Sequence, residues 1–419
     1  MKECSRKRFA LVCLLVASAP FSWPSIVYAS ENEINWQIRF KQQVLQHPAI
    51  VAVKEKVNAA ESMFSGSNRP IYNPEISTDI EREGDSNNYR IGFTQTIDWQ
   101  DKVAVRKTKA ASKLQAAKAS FQLAVQTQTA QTLSALVAWQ AASRQVVLAR
   151  EQEAQLDTML AWVDERQKSG DVGEIDAELT VFGLTQWLNA TASAEAALKK
   201  VTAMVNAALP GFMNRQQVIP KVFWERVTDM SVRIEGASEQ RWLDNHPKVT
   251  IAKANWQQSR LIAKQVKQDA SADPTVGINT GKIGDDSVLG LSLSLPLNIR
   301  NNYSAESKAA WQKVLSKEAE YYASRRQQKS LIESSLSVLQ AYQSRFYRWR
   351  DLMKGRGERG ERLINKQWKS GDLSTAEYLL MMQQLSTSLS SGIELEKEFK
   401  LARIDWLLKT GQLSAALTP

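Results

Sequence analysis

The chain is written twice. His47-Pro48 returns as His246-Pro247 after 199 residues, and Lys168-Ser169-Gly170-Asp171 returns as Lys369-Ser370-Gly371-Asp372 after 201. Between these anchors, Thr94 to Asp98 leading into Lys109-Ala110-Ala111 parallels Ser294 to Asn298 leading into Lys308-Ala309-Ala310. Order and spacing are both kept, so two copies of one structural unit related by pseudo-symmetry are expected, at a period far longer than that of a solenoid.

Proline divides each copy into elements. None occurs from Glu75 to Leu209 or from Leu297 to Thr418, whereas Pro70, Pro74, Pro210, Pro220, Pro247, Pro274 and Pro296 mark transitions. Proline breaks helix interiors, so the gaps are where long helices can run. Residues 101–167 are rich in Ala, Gln, Leu, Lys and Arg and predict a helix about 100 Å long. Residues 303–368 match it, with Gly355, Gly357 and Gly360 softening the second copy, so a kink near Gly357 is expected. Each long helix ends at its Lys-Ser-Gly-Asp turn, where Gly suits a left-handed C-terminal position. Return helices then follow over 176–208 and 375–409. The stripe Leu379, Met382, Leu385, Leu389, Ile393 is a packing face at helical spacing.

Ahead of each long helix the period changes to two. In Tyr89 to Ile97 the apolar residues fall mainly on odd positions, and Leu289, Leu291, Leu293, Leu295 and Leu297 alternate with small or polar residues. Alternation means strand, and each strand has a partner across a turn rich in Gly, Asp, Ser and Asn, giving hairpins at 75–98 and 275–297. A small soluble sheet would alternate in the same way. The uniform leucine face favours an outer-membrane barrel, as do Trp99 and Tyr303 where strands give way to helices. Four strands cannot close a barrel, and lipid does not tolerate an open edge, so several chains would pool their strands. Two chains would reach the minimum with little lumen. Three are the better solution.

The N-terminus reads as an export signal over 1–29. Lys2, Arg6, Lys7 and Arg8 precede the apolar run Phe9 to Ala19, and Val27-Tyr28-Ala29 presents a small-residue cleavage pattern ending at Ala29. Both cysteines, Cys4 and Cys13, lie inside it, so neither disulfides nor thiolate metal sites are expected after processing. The net charge of +10 falls to +7 on its removal. Lys and Arg alternate with Glu and Asp along helical segments, which reads as solvated faces and not as a nucleic-acid surface. Phosphate loops, nucleophile elbows and paired His and carboxylate motifs are absent from the sequence, so no enzyme, cofactor or nucleic-acid partner is expected. His47 and His246 lack the carboxylates or cysteines of a zinc site, and each following proline fits a first helical position.

This layout resembles the TolC-like outer membrane factors. The likeness is carried by the signal, the duplicated helix, hairpin, long helix, return helix unit, the Asn73-Pro74-Glu75-Ile76-Ser77 entry to the first strand and the paired glycine tips. It spans Trp36 to Leu413. The His47-Pro48 start, the Asn73-Pro74-Glu75 entry and the passage Ile97-Asp98-Trp99-Gln100-Asp101-Lys102 are most similar to the branch that accompanies heavy-metal efflux pumps. The implied fold is mainly α with a membrane β-barrel portion. Three chains, each giving four strands, would share a 12-stranded barrel in the outer membrane, continued by coiled-coil helices forming a periplasmic α-barrel. Repeats at 30–209 and 241–413 would flank an equatorial segment at 210–240, with a tail at 414–419.

The resemblance also implies an outer membrane efflux channel, a passive exit duct for heavy-metal cations acting with a periplasmic adaptor protein and an inner-membrane transporter of the RND type, with drugs or proteins as the alternative cargo. Asp176, Glu377, Asp171 and Asp372 would ring a closing aperture, although Asp176 and Glu377 would equally favour a helix N-terminus through the macrodipole. Leu380 stands where a second acid can occur in the family. Lys168, Ser169, Gly170, Lys369, Ser370 and Gly371 would form the tips and adaptor contacts, and Leu289, Leu291, Leu293 and Leu295 would meet outer membrane lipid. The competing reading is a periplasmic coiled-coil scaffold or adaptor.

Overall fold

The computed structural model describes residues 31–170, 173–211 and 236–413; for 31–35, 83, 86, 176, 184 and 236–239 it describes the backbone only. The signal, the tail, Asp171 and most of the equatorial segment lie outside the described residues. The first repeat contains α1 (Glu31–Gln46), α2 (Pro48–Gly66), β1 (Glu75–Glu83), β2 (Ser86–Thr96), α3 (Lys102–Lys168) and α4 (Glu174–Ala208). The second contains α5 (Gly236–Asn245), α6 (Pro247–Asp269), β3 (Thr275–Ile283), β4 (Asp286–Ser294), α7 (Ser304–Met353), α8 (Arg356–Lys369) and α9 (Thr375–Thr410).

The helix breaks have identifiable causes. Pro48 and Pro247 occupy first-turn positions, and each preceding histidine is extended (ψ 132° and 130°) and caps the helix, Nδ1 accepting from Ala49 N–H at 3.3 Å or Lys248 N–H at 3.2 Å. The long helix expected over 303–368 is two helices. They part at Lys354-Gly355, two residues before the expected kink, because Lys354 leaves the helical region and Gly355 turns left-handed at φ +66°. Gly357 and Gly360 are accommodated within α8. α3, by contrast, runs unbroken for 67 residues, roughly 100 Å at 1.5 Å per residue.

All four strands form one antiparallel sheet in the order β1-β2-β3-β4. The hairpins turn at Gly84 and Gly284, both left-handed at φ +61° and +58°. β2 and β3 are adjacent although 178 residues separate Thr96 from Thr275 in register, so their ladder joins the repeats. Beneath the sheet the helices lie side by side as a wall. Its upper part runs α2, α3, α6, α7 and its lower part α4, α3, α9, α7, with α8 extending the lower edge. β1, α2 and α4 therefore form one edge of the molecule and β4, α7 and α8 the other.

The buried apolar side chains form separate clusters along the wall, two of them large. A mid-height core gathers Trp36, Phe40, Leu133, Leu136, Leu339, Phe399, Ile404 and Trp406, and a tip core gathers Leu156, Met159, Val163, Trp368, Tyr378 and Met382. Gly392 of α9 lets α7 approach, because the Trp349 ring occupies the place a Cβ would need, while its Nε1–H donates to Ser388 O at 3.2 Å. Gly392→Ala should force that ring aside and lower stability by about 1–3 kcal/mol, the cost of overpacking. A thermal melt in detergent checks this; an unchanged midpoint would show that Trp349 relocates freely.

Candidate functional site

The sheet divides its side chains by chemistry. Across the four strands one row reads Ile76, Phe93, Ile278, Leu291 and the next Thr78, Ile91, Thr280, Leu289. The alternate rows read Ser77, Gly92, Asn279, Gly290 and Asp79, Arg90, Gly281, Val288. The first face is apolar and uncovered, with Ile80 86 % and Leu291 85 % exposed. The second is small and polar. A Cβ at Gly281 would run into the Tyr89 carbonyl, and one at Gly277 would lie 2.5 Å from Ser292 Oγ. Neighbours thus crowd this face, as on the inside of a curved sheet. Leu289, Leu291 and Leu293 lie on the apolar face; Leu295 is exposed but falls one residue beyond β4, since Pro296 cannot donate to a ladder.

The sheet meets the helices through a joint that pattern reading missed. Asp273 is almost fully buried, and its Oδ2 accepts from Tyr72 Oη at 2.6 Å and Lys102 Nζ at 2.8 Å. Asp269 stands 3.9 Å from the same ammonium. Tyr72 and Lys102 belong to the first repeat and Asp273 to the second, so the ion pair ties the repeats together below β2 and β3. A signal was present: Asn73-Pro74 and Asp273-Pro274 are equivalent positions 200 residues apart, and only one is a carboxylate. Each long helix also starts from a left-handed residue, Asp101 at φ +53° and Tyr303 at φ +54°. Backbone here turns sharply. In the first repeat Asp98 accepts from Lys102 and Val103 N–H (2.9 and 3.0 Å) and holds that turn.

At the far end the hairpin tips lie together. Trp162 and Trp368 have ring centroids 4.4 Å apart, Trp368 and Tyr378 4.6 Å, and Tyr378 Oη donates to Asn365 Oδ1 at 2.8 Å. Gly170 and Gly371 are left-handed at φ +80° and +85°. In the second tip Gly371 N–H donates to Trp368 O and Asp372 N–H to Gln367 O, closing α8 with a Schellman turn. Asp372 also accepts from Ser370 Oγ at 2.6 Å. In the first tip Lys168 pairs with Asp164 at 2.8 Å and Ser169 Oγ donates to Arg166 O. Lys369 lies in the last turn of α8. Asp176 lies in the first turn of α4, and its side chain is outside the described set.

Glu377 is exposed and takes part in a capping box: Ser374 Oγ accepts from Glu377 N–H, and Glu377 Oε2 accepts from Ser374 N–H at 3.0 Å and Oγ at 2.8 Å. These bonds hold its carboxyl below the usual carboxylate range. Leu380 is also exposed. The two tips differ, because α4 begins at Gly173 with no side-chain cap whereas α9 has its capping box.

Three side chains clasp the C-terminus of α9. His246 Nε2 lies 3.4 Å from Leu408 O, Gln328 Nε2 donates to Lys409 O at 2.8 Å, and Gln126 Nε2 to Gly411 O at 3.1 Å. With Nδ1 accepting the Lys248 N–H, the neutral ring carries its proton on Nε2 and serves both contacts. Burial pushes the His246 pKa below its ordinary value of 6.5, helped by Lys248 and Lys409 against the Leu408 bond. The unfolded chain then binds the proton more readily, so this contribution is complete above about pH 6.5 and declines as pH falls below it. Melts across that range should show the loss, and His246→Asn, which can cap without titrating, should flatten it; an unaltered slope would place the pH dependence elsewhere.

No protein-family model and no curated protein sequence matches the chain. Among solved structures, the chain is similar to the CusC channel protein (13 % identity, TM-score 0.73, covering 90 % of this chain and 92 % of that one). The outer membrane channel CmeC of Campylobacter jejuni matches at 12 % identity and TM-score 0.72, over 91 % of this chain and 86 % of that one. The outer membrane protein VceC of Vibrio cholerae matches at 12 % and 0.71, over 90 % and 96 %. At this identity the likeness establishes architecture. The chain has the fold of these outer membrane channel proteins, a mainly helical chain with a four-stranded antiparallel sheet.

Proposed function

We propose that this chain is the outer membrane channel component of a tripartite efflux system, a passive duct that spans the outer membrane and extends into the periplasm. The observation that carries the proposal is the sheet: one face exposed and apolar across all four strands, the other small and polar, with β1 and β4 both unpaired at its edges. Lipid leaves no partner for an open edge, so β4 of one copy joins β1 of the next until the ring closes. Three copies give twelve strands and a polar lumen. The wall beneath follows the same rule, because its α2/α4 and α7/α8 edges are equally open and head-to-tail contacts close into a ring. The trimer has no catalytic role in this reading.

The hairpin tips then point into the periplasm, where Lys168, Ser169, Gly170, Lys369, Ser370 and Gly371 meet an adaptor and Asp171, Asp176, Asp372 and Glu377 surround the aperture. A transporter of the RND type in the inner membrane, and heavy-metal cargo, are the finer assignments; they rest on the His47-Pro48 and Ile97 to Lys102 motifs. Among the described residues no group of three or more His, Cys, Asp and Glu could hold a metal ion, so these finer assignments draw no support from a metal site in the duct. A periplasmic scaffold fits less well, since it would leave the leucine face in water.

Leu291→Arg with Leu293→Arg should abolish the outer membrane trimer while leaving helix content intact, read by membrane fractionation and circular dichroism. Recovery of a soluble, export-competent monomer from the unaltered chain would overturn the channel reading. For the aperture, Asp176→Ala with Glu377→Ala should raise single-channel conductance in planar bilayers. Unchanged conductance would reduce both carboxylates to helix-capping groups.

A further inference from the structure

The alternation of charge along the helices fails in one place. From Lys102 to Arg150, α3 contains no Asp or Glu, and its first seventeen residues hold six basic side chains, Lys102 to Lys118. α6, packed alongside, has five basic residues and a single acid, Asp269, which lies beside Lys102. These stretches form the part of the wall next to the sheet. Lys102 is matched by Asp273 and Lys118 by Glu61, but among the described residues most of the others have no carboxylate against them. Lys109 Nζ donates to the neutral Gln265 at 2.6 Å, and the Arg106 guanidinium donates to the backbone carbonyls of Ser67 and Arg69.

Both surfaces of this wall are basic. A groove of 460 Å³ between α2, α3 and α6 is lined by Arg106, Lys109 and Lys113 and by no carboxylate. A second, of 610 Å³ between α3, α6 and α7, is lined by Arg260, Lys264 and Lys267, again with no carboxylate. On α6 the first groove uses Gln258 and Ile262, whereas the second uses Gln257, Arg260, Leu261 and Lys264; at 100° per residue these sets point to opposite sides of the helix. A wall one helix thick has one side in the lumen of a closed tube. Whichever side that is, it presents unmatched Lys and Arg.

Resting on the duct reading above, we infer that the helical wall beside the barrel forms an anion-binding collar, so that the duct favours cargo bearing phosphate, carboxylate or sulfonate groups over free divalent cations. Three copies place at least nine cations around one ring, and a lumen walled by protein concentrates their field. Metal ions would pass this point more readily as anionic complexes than as bare cations.

The test uses the full-length trimer in planar bilayers, with inorganic tripolyphosphate as the probe. Tripolyphosphate should block the current at low millimolar salt and lose its effect as chloride screens the collar. Lys109→Glu with Lys113→Glu reverses one face, and Lys264→Glu with Lys267→Glu the other. The pair on the lumenal side should weaken the block several-fold and shift the reversal potential in a chloride gradient toward cation preference, and the other pair should change little. Lys→Gln versions of both pairs guard against loss of assembly. Conducting trimers that tripolyphosphate does not block, or that neither pair alters, would overturn the collar. No conducting trimer from the unaltered chain would overturn the duct reading instead.

Discussion

The β2–β3 ladder is the interaction on which the rest of the molecule depends. It pairs strands from different repeats, and α3, α4, α5 and α6 lie between them in sequence. Once these backbone groups pair, α3, which leaves β2, and α6, which leads into β3, must meet the sheet at neighbouring points. They run side by side because the sheet leaves them no other starting place. The ladder also fixes register, since a shift of one residue would send the leucines to the crowded polar side.

Beneath the ladder the repeats are held by a few specific contacts. The Tyr72, Lys102 and Asp273 cluster secures the joint between sheet and helices, where burying Asp273 without Lys102 would leave an unmatched charge. Lower down, His246, Gln126 and Gln328 satisfy the final carbonyls of α9, and tilted aromatic ring contacts join the tips. Between these levels the wall is thin, with its core divided into separate clusters and apolar surface left at its edges, such as Phe182 on α4 and Leu352 on α7. This is a structure whose stability is shared with its neighbours in the proposed ring.

The two repeats have diverged where function would be read. The first hairpin is one unbroken helix and its return; the second is divided at Gly355, and its return helix opens with a capping box where Gly173 of the first makes no side-chain cap. The second tip is therefore a separate helical piece, α8, linked to α7 through two non-helical residues. The collar draws on both repeats, α3 from the first and α6 from the second, while α7, the counterpart of α3, mixes Lys308, Lys313 and Lys317 with Glu306, Glu318 and Glu320. Duplication gave the wall its layout, and divergence gave the equivalent helices α3 and α7 different charge near the sheet.

The duplication, the strand pairs and the long helices were legible in the sequence, because repeat spacing, period-two alternation and proline placement are local properties of the chain. The leucine face and the glycine tips were legible for the same reason. The helix break was placed two residues late, since three glycines soften the segment alike and only backbone geometry chooses Gly355. The His-Pro steps suggested helix starts, but the cap made by each imidazole required coordinates. Only the tertiary structure paired β2 with β3, brought Asp273 to Lys102, and put the basic residues of α3 beside those of α6. Each of these joins groups that are far apart in sequence, and pattern within a segment carries no information about which distant segment will lie against it.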